Sequence, residues 1–183
     1  MEIERKPEKL KLEALNRKTI EVFKESDKIP VVVLLDNVRS MHNVGSVFRT
    51  SDAFSIDKIY LCGITPQPPH REIQKTALGA TESVDWEHKE SIEELISVLK
   101  KEGYIIVGVE QVRDSVYLQE YKVETRKKYA LILGNEVEGI SENILELIDL
   151  FIEIPQSGTK HSLNVSVCAG IVLWEWYRAL IKN

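Results

Sequence analysis

The stretch Tyr129-Ala130-Leu131-Ile132-Leu133-Gly134-Asn135-Glu136-Val137-Glu138-Gly139-Ile140-Ser141 decides how this chain is read. Its first half is an unbroken apolar run, the pattern of a strand buried on both faces, and it stops at a glycine. A polar turn and a second glycine follow, after which a helical pattern restarts over 141–147. Strands of this kind belong to a parallel sheet whose two faces are covered by helices. Outward from here the same apolar runs recur at 31–35, 59–62, 104–109 and 150–154, and helical stretches are expected at 44–54, 70–78, 91–101 and 165–181. Strands alternating with helices predict an α/β fold with a parallel, helix-covered sheet.

Residues 7–25 read as one amphipathic helix, because Leu12, Leu15, Thr19, Val22 and Phe23 recur near helical spacing. Pro30 pushes its preceding residue out of helical space and marks a boundary. The expected division is therefore a helical extension over 1–29 and a single α/β domain over 30–183. The segment 64–69 carries three prolines and reads as a loop.

Of 183 residues, 43% are hydrophobic and 29% charged, which suits a chain with a real core and excludes a disordered or collagen-like one. The uncharged run 161–174 is shorter than the ~20 residues a membrane-spanning helix needs. The alternating acids and bases of residues 1–11 contain no apolar export signal, so a cytoplasmic protein is expected. Cys62 and Cys168 sit among apolar neighbours with no histidine at ligand spacing, and both are expected to be reduced core thiols with no metal site. A net charge of −5 gives no global attraction to nucleic acid. Any such contact must be local, at Lys9, Lys11, Arg17 and Lys18, at His70, Arg71 and Lys75, at Arg126 to Lys128, or at Lys160 and His161. Taken singly, each of these is more often a plain solvated face.

Three loops at strand ends are candidates for chemistry, because ligands of open α/β sheets bind beyond the carboxyl ends of the strands. The first, after residue 35, holds Asn43, Gly45 and Arg49. Asn43 could cap the helix, and Gly45 permits a close approach by backbone or ligand. Read alone, the segment is equally a capped helix with a surface arginine. The second is the quoted turn, in which Glu136 is an acid with little packing role and the glycines bare the backbone. The third, 154–167, is a polar loop that enters an almost uncharged helix, and Ser162 or Asn164 serves there as a plain N-cap just as well. No GxGxxG fingerprint is present, which argues against a Rossmann or flavodoxin-like nucleotide enzyme.

In their order, Asn43-x-Gly45-x-x-x-Arg49, Leu133-Gly134-Asn135-Glu136-x-x-Gly139 and Ile154-Pro155 leading to Ser162-Leu163-Asn164-Val165-Ser166 resemble the three signature motifs of the SpoU, or TrmH-like, family of SPOUT RNA ribose 2′-O-methyltransferases. The likeness covers 31–181. It implies an α/β fold whose C-terminal part forms a deep trefoil knot, with S-adenosylmethionine as the cofactor held in that knot. The cofactor contacts it implies are Gly134, Ile154, Leu163, Gly139 and the strand end from Gly108 to Glu110. The catalytic set it implies is Arg49, Asn43, Glu136, Ser162 and Asn164, with Asn43 orienting Arg49 or the nucleotide and Glu136 anchoring the Arg49 network. It further implies an RNA substrate, a tRNA in preference to an rRNA and a D-loop guanosine by preference, and a homodimer in which Trp174, Trp176 and Tyr177 are interface or core anchors. A non-catalytic RNA-binding relative is the rival within the family.

Overall fold

The computed structural model of the chain describes residues 9–181. Seven strands form one all-parallel sheet: β1 Ile29–Asp36, β2 Ile56–Cys62, β3 Asp85–Lys89, β4 Tyr104–Val109, β5 Val116–Tyr117, β6 Lys128–Leu133 and β7 Leu150–Glu153. Their spatial order is β3-β2-β1-β6-β4-β7-β5. The quoted strand, β6, therefore lies near the centre, with Val33 opposite Leu131 on one side and Val107 opposite Leu131 on the other.

Alternation along the central strands feeds two cores. Val31, Val33 and Leu35 of β1 and Tyr129, Leu131 and Leu133 of β6 point into one layer, while Val32, Leu34, Ala130 and Ile132 point into the other. The first layer is covered by α1 Ile20–Glu25, α2 Met41–Ala53, α3 Arg71–Ala77, α4 Ala80–Ser83 and α6 Val165–Leu180. The second is covered by α5 Ile92–Lys101 and the 3-10 turn Glu142–Leu147. The predicted α/β architecture is present, and the five expected strands and the helices expected at 44–54, 70–78, 91–101 and 165–181 fall within three residues of expectation, whereas β3, β5 and α4 are not among the expected elements. Among the described residues no helix is long and apolar enough to cross a membrane.

Several expectations need correction. The single helix expected over 7–25 starts outside the described residues and breaks within them. A 3-10 turn, Leu12–Leu15, ends at Asn16 in the left-handed region, and α1 begins afresh after Thr19, whose hydroxyl accepts from Val22 N–H. The reason is burial: Leu15, Ile20 and Val22 are exposed and only Phe23 of α1 is buried, so no packed face holds one long helix together. The helix expected at 141–147 is a 3-10 turn. Asn43 does not cap α2. Ser40 does, its hydroxyl accepting from Asn43 N–H at 3.3 Å. Gly45 serves helix packing rather than a ligand, because a Cβ there would collide with the Ile73 carbonyl and Thr76 hydroxyl of α3.

Candidate active site

The carboxyl ends of β1, β4, β6 and β7 open on one side of the sheet, where the loops after β1, β6 and β7 are bonded to one another. The turn after β6 is closed on itself: Asn135 N–H donates to Gly139 O at 2.8 Å and Gly139 N–H to Asn135 O at 3.0 Å. The Asn135 side-chain oxygen accepts from Val137 and Glu138 N–H, and its amide donates to Asn37 O at 2.7 Å. Asn135 thereby pins the turn to the end of β1. Gly139 requires its glycine, with φ at 72° and a Cβ that would strike the Glu110 carboxylate.

Glu136 then binds the start of α2. Its carboxylate accepts from Arg39 N–H at 2.9 Å, from Ser40 N–H at 2.9 Å and from the Asn43 amide at 2.9 Å. Burial pushes its carboxyl group upward, but the Arg39 N–H, the Asn43 amide and the Ser40 N–H outweigh that and hold it below the ordinary glutamate range. Asn43 is 8% exposed, and its side-chain oxygen accepts from the Asn164 amide at 3.1 Å. Asn164 also caps α6, its oxygen accepting from Ser166 N–H at 2.9 Å. The cap and the site residue are the same side chain. One chain of bonds thus runs from the β6 turn through α2 to the start of α6.

These loops border a pocket of about 390 Å³. Gly134, Gly139, Glu110, Ser162 and Leu163 line it, as expected, and so do Val109, Gln156, His161 and Cys168. Gly134 leaves no room for a side chain, since a Cβ would press into the Gly139 carbonyl carbon and Ile140 nitrogen. Glu110 closes the far edge, accepting from Ile140 N–H at 3.1 Å and Gln111 N–H at 2.9 Å.

Several residues are placed otherwise than the resemblance implies. Ile154 does not line the pocket and packs against the core. Gly108 does not line it either, and its missing side chain makes room for the Phe151 ring between strands. Glu136 does not anchor Arg49, because backbone and amide donors of 39–43 already fill its oxygens. Arg49 lies exposed on α2 with no side-chain hydrogen bond or ion pair among the described residues. Cys168 is not a plain core thiol but half-buried in the pocket wall, where burial pushes its thiol up. Cys62 fits its expected place in the core, and burial pushes its thiol up to about 12. No cluster of metal-binding side chains occurs among the described residues.

On the outer face of α6, Val167, Ile171 and Trp174 recur at helical spacing and are 50%, 38% and 49% exposed. Trp174 and Tyr177 meet Phe54 of the α2 end at centroid distances of 5.7 and 5.2 Å. Trp176 is wholly buried against Tyr121 and Tyr129 and belongs to the core. Of the middle basic cluster, Lys75 is paired with Glu72 at 2.7 Å and His70 caps α3, which leaves Arg71.

The sequence pattern of the SpoU rRNA Methylase family matches residues 30–174. A protein of Staphylococcus saprophyticus assigned to the TrmH family of tRNA/rRNA methyltransferases is 30% identical over 85% of this chain. The chain spans 61% of the length of that relative. Among solved structures, the Aquifex aeolicus TrmH/SpoU tRNA modifying enzyme is 31% identical with a TM-score of 0.76, over 87% of this chain and 79% of that one. A Sinorhizobium meliloti rRNA methyltransferase solved with bound AdoMet is 26% identical with a TM-score of 0.76, over 89% of this chain and 60% of that one.

Proposed function

The chain belongs to the SpoU rRNA methylase family, and from that premise we propose that it transfers a methyl group from S-adenosylmethionine to a ribose 2′-hydroxyl of RNA. The observation that carries this reading is the bonded wall of the 390 Å³ pocket, in which Glu136, Asn43 and Asn164 tie the three motif loops together. A pocket of that size suits a small molecule, and the bare backbone beside Gly134 and Gly139 offers polar groups without side chains in the way. Gly134, Gly139, Leu163 and Glu110 would hold the donor. It supplies an electrophilic methyl on a sulfonium sulfur. We read the C-terminal segment that forms this wall as the family's knot, one of the rare exceptions to unknotted chains.

A ribose hydroxyl is a weak nucleophile at neutral pH, so the protein must orient it and ease the loss of its proton. Arg49, always charged, is a poor base but a good clamp for a phosphate and a polariser of the neighbouring hydroxyl. The bound donor would give up its methyl group to the hydroxyl oxygen and leave as the neutral thioether, and the hydroxyl proton would pass to that phosphate or to water. Glu136 and Asn43 are positioning residues, since their polar atoms are spent on holding α2 against the pocket wall. Ser162 lines the pocket and shapes it.

The preferred substrate is a tRNA, with a D-loop guanosine favoured over an rRNA site. The exposed stripe Val167, Ile171 and Trp174 supports a homodimer, because a contiguous apolar helix face seeks cover and a second copy offers the matching surface. Arg49 would then be completed by RNA and by the partner subunit. The extension 1–29 and the domain 30–183 remain the working division of the chain.

Calorimetry with S-adenosylmethionine, with S-adenosylhomocysteine and with NAD tests the donor assignment. Binding of the first two and not of NAD is expected, and binding of NAD alone would replace this reading with a nucleotide enzyme of another class. A protein that binds donor and RNA but transfers no methyl group would be the non-catalytic relative.

A further inference from the structure

The turn that walls the donor pocket hangs on the end of β1 at two points. One is the Asn135 amide, which donates to Asn37 O at 2.7 Å. The other lies past Gly139, where Ser141 N–H donates to a carboxylate oxygen of Asp36 at 2.8 Å. Asp36 is wholly buried, and among the described residues its oxygens meet amide donors instead of a cation. The second oxygen accepts from the Asn37 side-chain amide at 2.9 Å. A buried carboxylate short of donors is costly, so both bonds are needed to keep it there. Asn37 can face Asp36 only one way round. Its backbone lies in the left-handed region, with φ at 53°, which asparagine and aspartate tolerate better than other side chains. Its side-chain oxygen accepts from Ile64 N–H at 3.1 Å, which leaves its NH2 group for Asp36 and, at 3.3 Å, for the Ser141 hydroxyl. Exchanging that oxygen and nitrogen would set donor against donor at Ile64 and acceptor against acceptor at Asp36.

Neither Asp36 nor Asn37 borders the donor pocket, so any influence on the donor passes through the turn. Resting on the donor assignment above, we propose that Asp36 and Asn37 are positioning residues of the donor site, a complementary pair that holds Ser141, and with it Gly139 and the pocket wall, where the donor is received. The apolar contacts of β1 and β6 lie on 31–35 and 129–133 and do not involve the pair. Loosening it should therefore free the turn before it loosens the sheet. A turn that keeps its place only part of the time lowers the apparent affinity for its ligand by that fraction.

The test exchanges the two roles. Asp36→Asn keeps the volume and removes an acceptor, and Asn37→Asp keeps the shape and removes a donor. The double variant restores the match in reverse: the amide at 36 accepts from Ser141 N–H and donates to the carboxylate at 37, whose oxygens also take Ile64 N–H and the Ser141 hydroxyl. Two quantities are read on the full chain, S-adenosylhomocysteine affinity by calorimetry and deuterium uptake over 134–141 in the ligand-free protein. Each single substitution should weaken binding by about tenfold, the loss of one bond to a charged group, and speed uptake over 134–141 while uptake over 31–35 and 129–133 stays at the wild-type rate. Independent losses would multiply to about a hundredfold in the double variant, whereas recovery close to wild type is expected for a matched pair. Unchanged affinity in both single variants, or a double variant as weak as the product of the two, would overturn the proposal. Faster uptake across both strands with donor affinity intact would also overturn it, as the mark of general support for the fold. If the single variants do not fold, the double variant decides, and its failure to fold or to bind overturns the pair. A wild-type chain that binds no S-adenosylhomocysteine would sink the donor assignment instead, and uptake over 134–141 would still decide whether the pair holds the turn.

Discussion

The two ends of the first signature motif, Asn43 and Arg49, share one helix and differ in almost every physical respect. Asn43 is buried, donates to Glu136 and accepts from Asn164, so its conformation is fixed by three loops at once. Arg49, under two turns on, is exposed and reaches no partner among the described residues. The difference separates what the fold completes by itself from what a bound molecule must complete. The donor side is assembled within one chain, with positioning residues wired to backbone. The proposed acceptor side presents a guanidinium with no side-chain partner among the described residues.

The most severe way to break the wired side is Gly134→Ala. The new Cβ would overlap backbone atoms of Gly139 and Ile140, so the turn must move out of the donor pocket while the core of β6 remains. Donor affinity should fall by about a hundredfold or more on the scale of a misplaced binding site, with the far-ultraviolet circular dichroism unchanged. Undiminished affinity by calorimetry would mean that the pocket is not the donor site.

Arg49→Ala probes the other side. If this group stabilises the reacting hydroxyl, maximal turnover at saturating RNA should drop by roughly a hundredfold, as on removing a positioned electrostatic group, with donor affinity unaltered. Arg49→Lys should restore little, because lysine keeps the charge and loses the planar fork. A rate near wild type for Arg49→Ala would return Arg49 to the solvated surface.

Glu136 should give a smaller and pH-dependent effect. Its folded-state pKa is depressed, so its contribution to stability is present above its unfolded pKa and is lost as pH falls through the lower, folded value. Glu136→Gln should therefore cost about 1 kcal/mol near neutral pH, since solvent reaching the exposed carboxylate weakens its charged hydrogen bonds, and the gap from wild type should close in acid. Urea melts across pH measure it, and a gap independent of pH would place the effect outside the carboxylate's charge. The smallest change is expected from Trp174→Glu, which should weaken self-association by about tenfold, the loss of one interface anchor, without touching the fold. Sedimentation at several concentrations reads it. An unchanged association constant would move the interface off α6.

The sequence made the fold legible where the apolar runs are continuous. The strand at 104–109 was read with the bounds it has, because it is buried on both sides. β3 escaped because Asp-Trp-Glu-His-Lys is an edge strand with polar residues to solvent, and β5 because two residues carry no pattern. The candidate site was legible in its members but not in its wiring. Glu136 stood out as an acid between glycines, yet its partners are the backbone N–H groups of Arg39 and Ser40, which leave no mark in a sequence. Asn164 was readable as a cap, while its second bond to Asn43 depends on α2 and α6 being brought together. Ile154 and Gly108 stand beside the pocket rather than in its lining, because a residue beside a binding loop and one lining it look alike in sequence.

The central claim is transfer of a methyl group to ribose oxygen, and it is tested most directly by a single-turnover reaction of the protein with methyl-labelled S-adenosylmethionine and total tRNA, followed by digestion to nucleosides and mass spectrometry. The account predicts label on a ribose 2′-oxygen, on guanosine by preference, and resistance of the neighbouring linkage to alkaline cleavage. Label on a base nitrogen or carbon, or donor binding with no label in RNA, would contradict it.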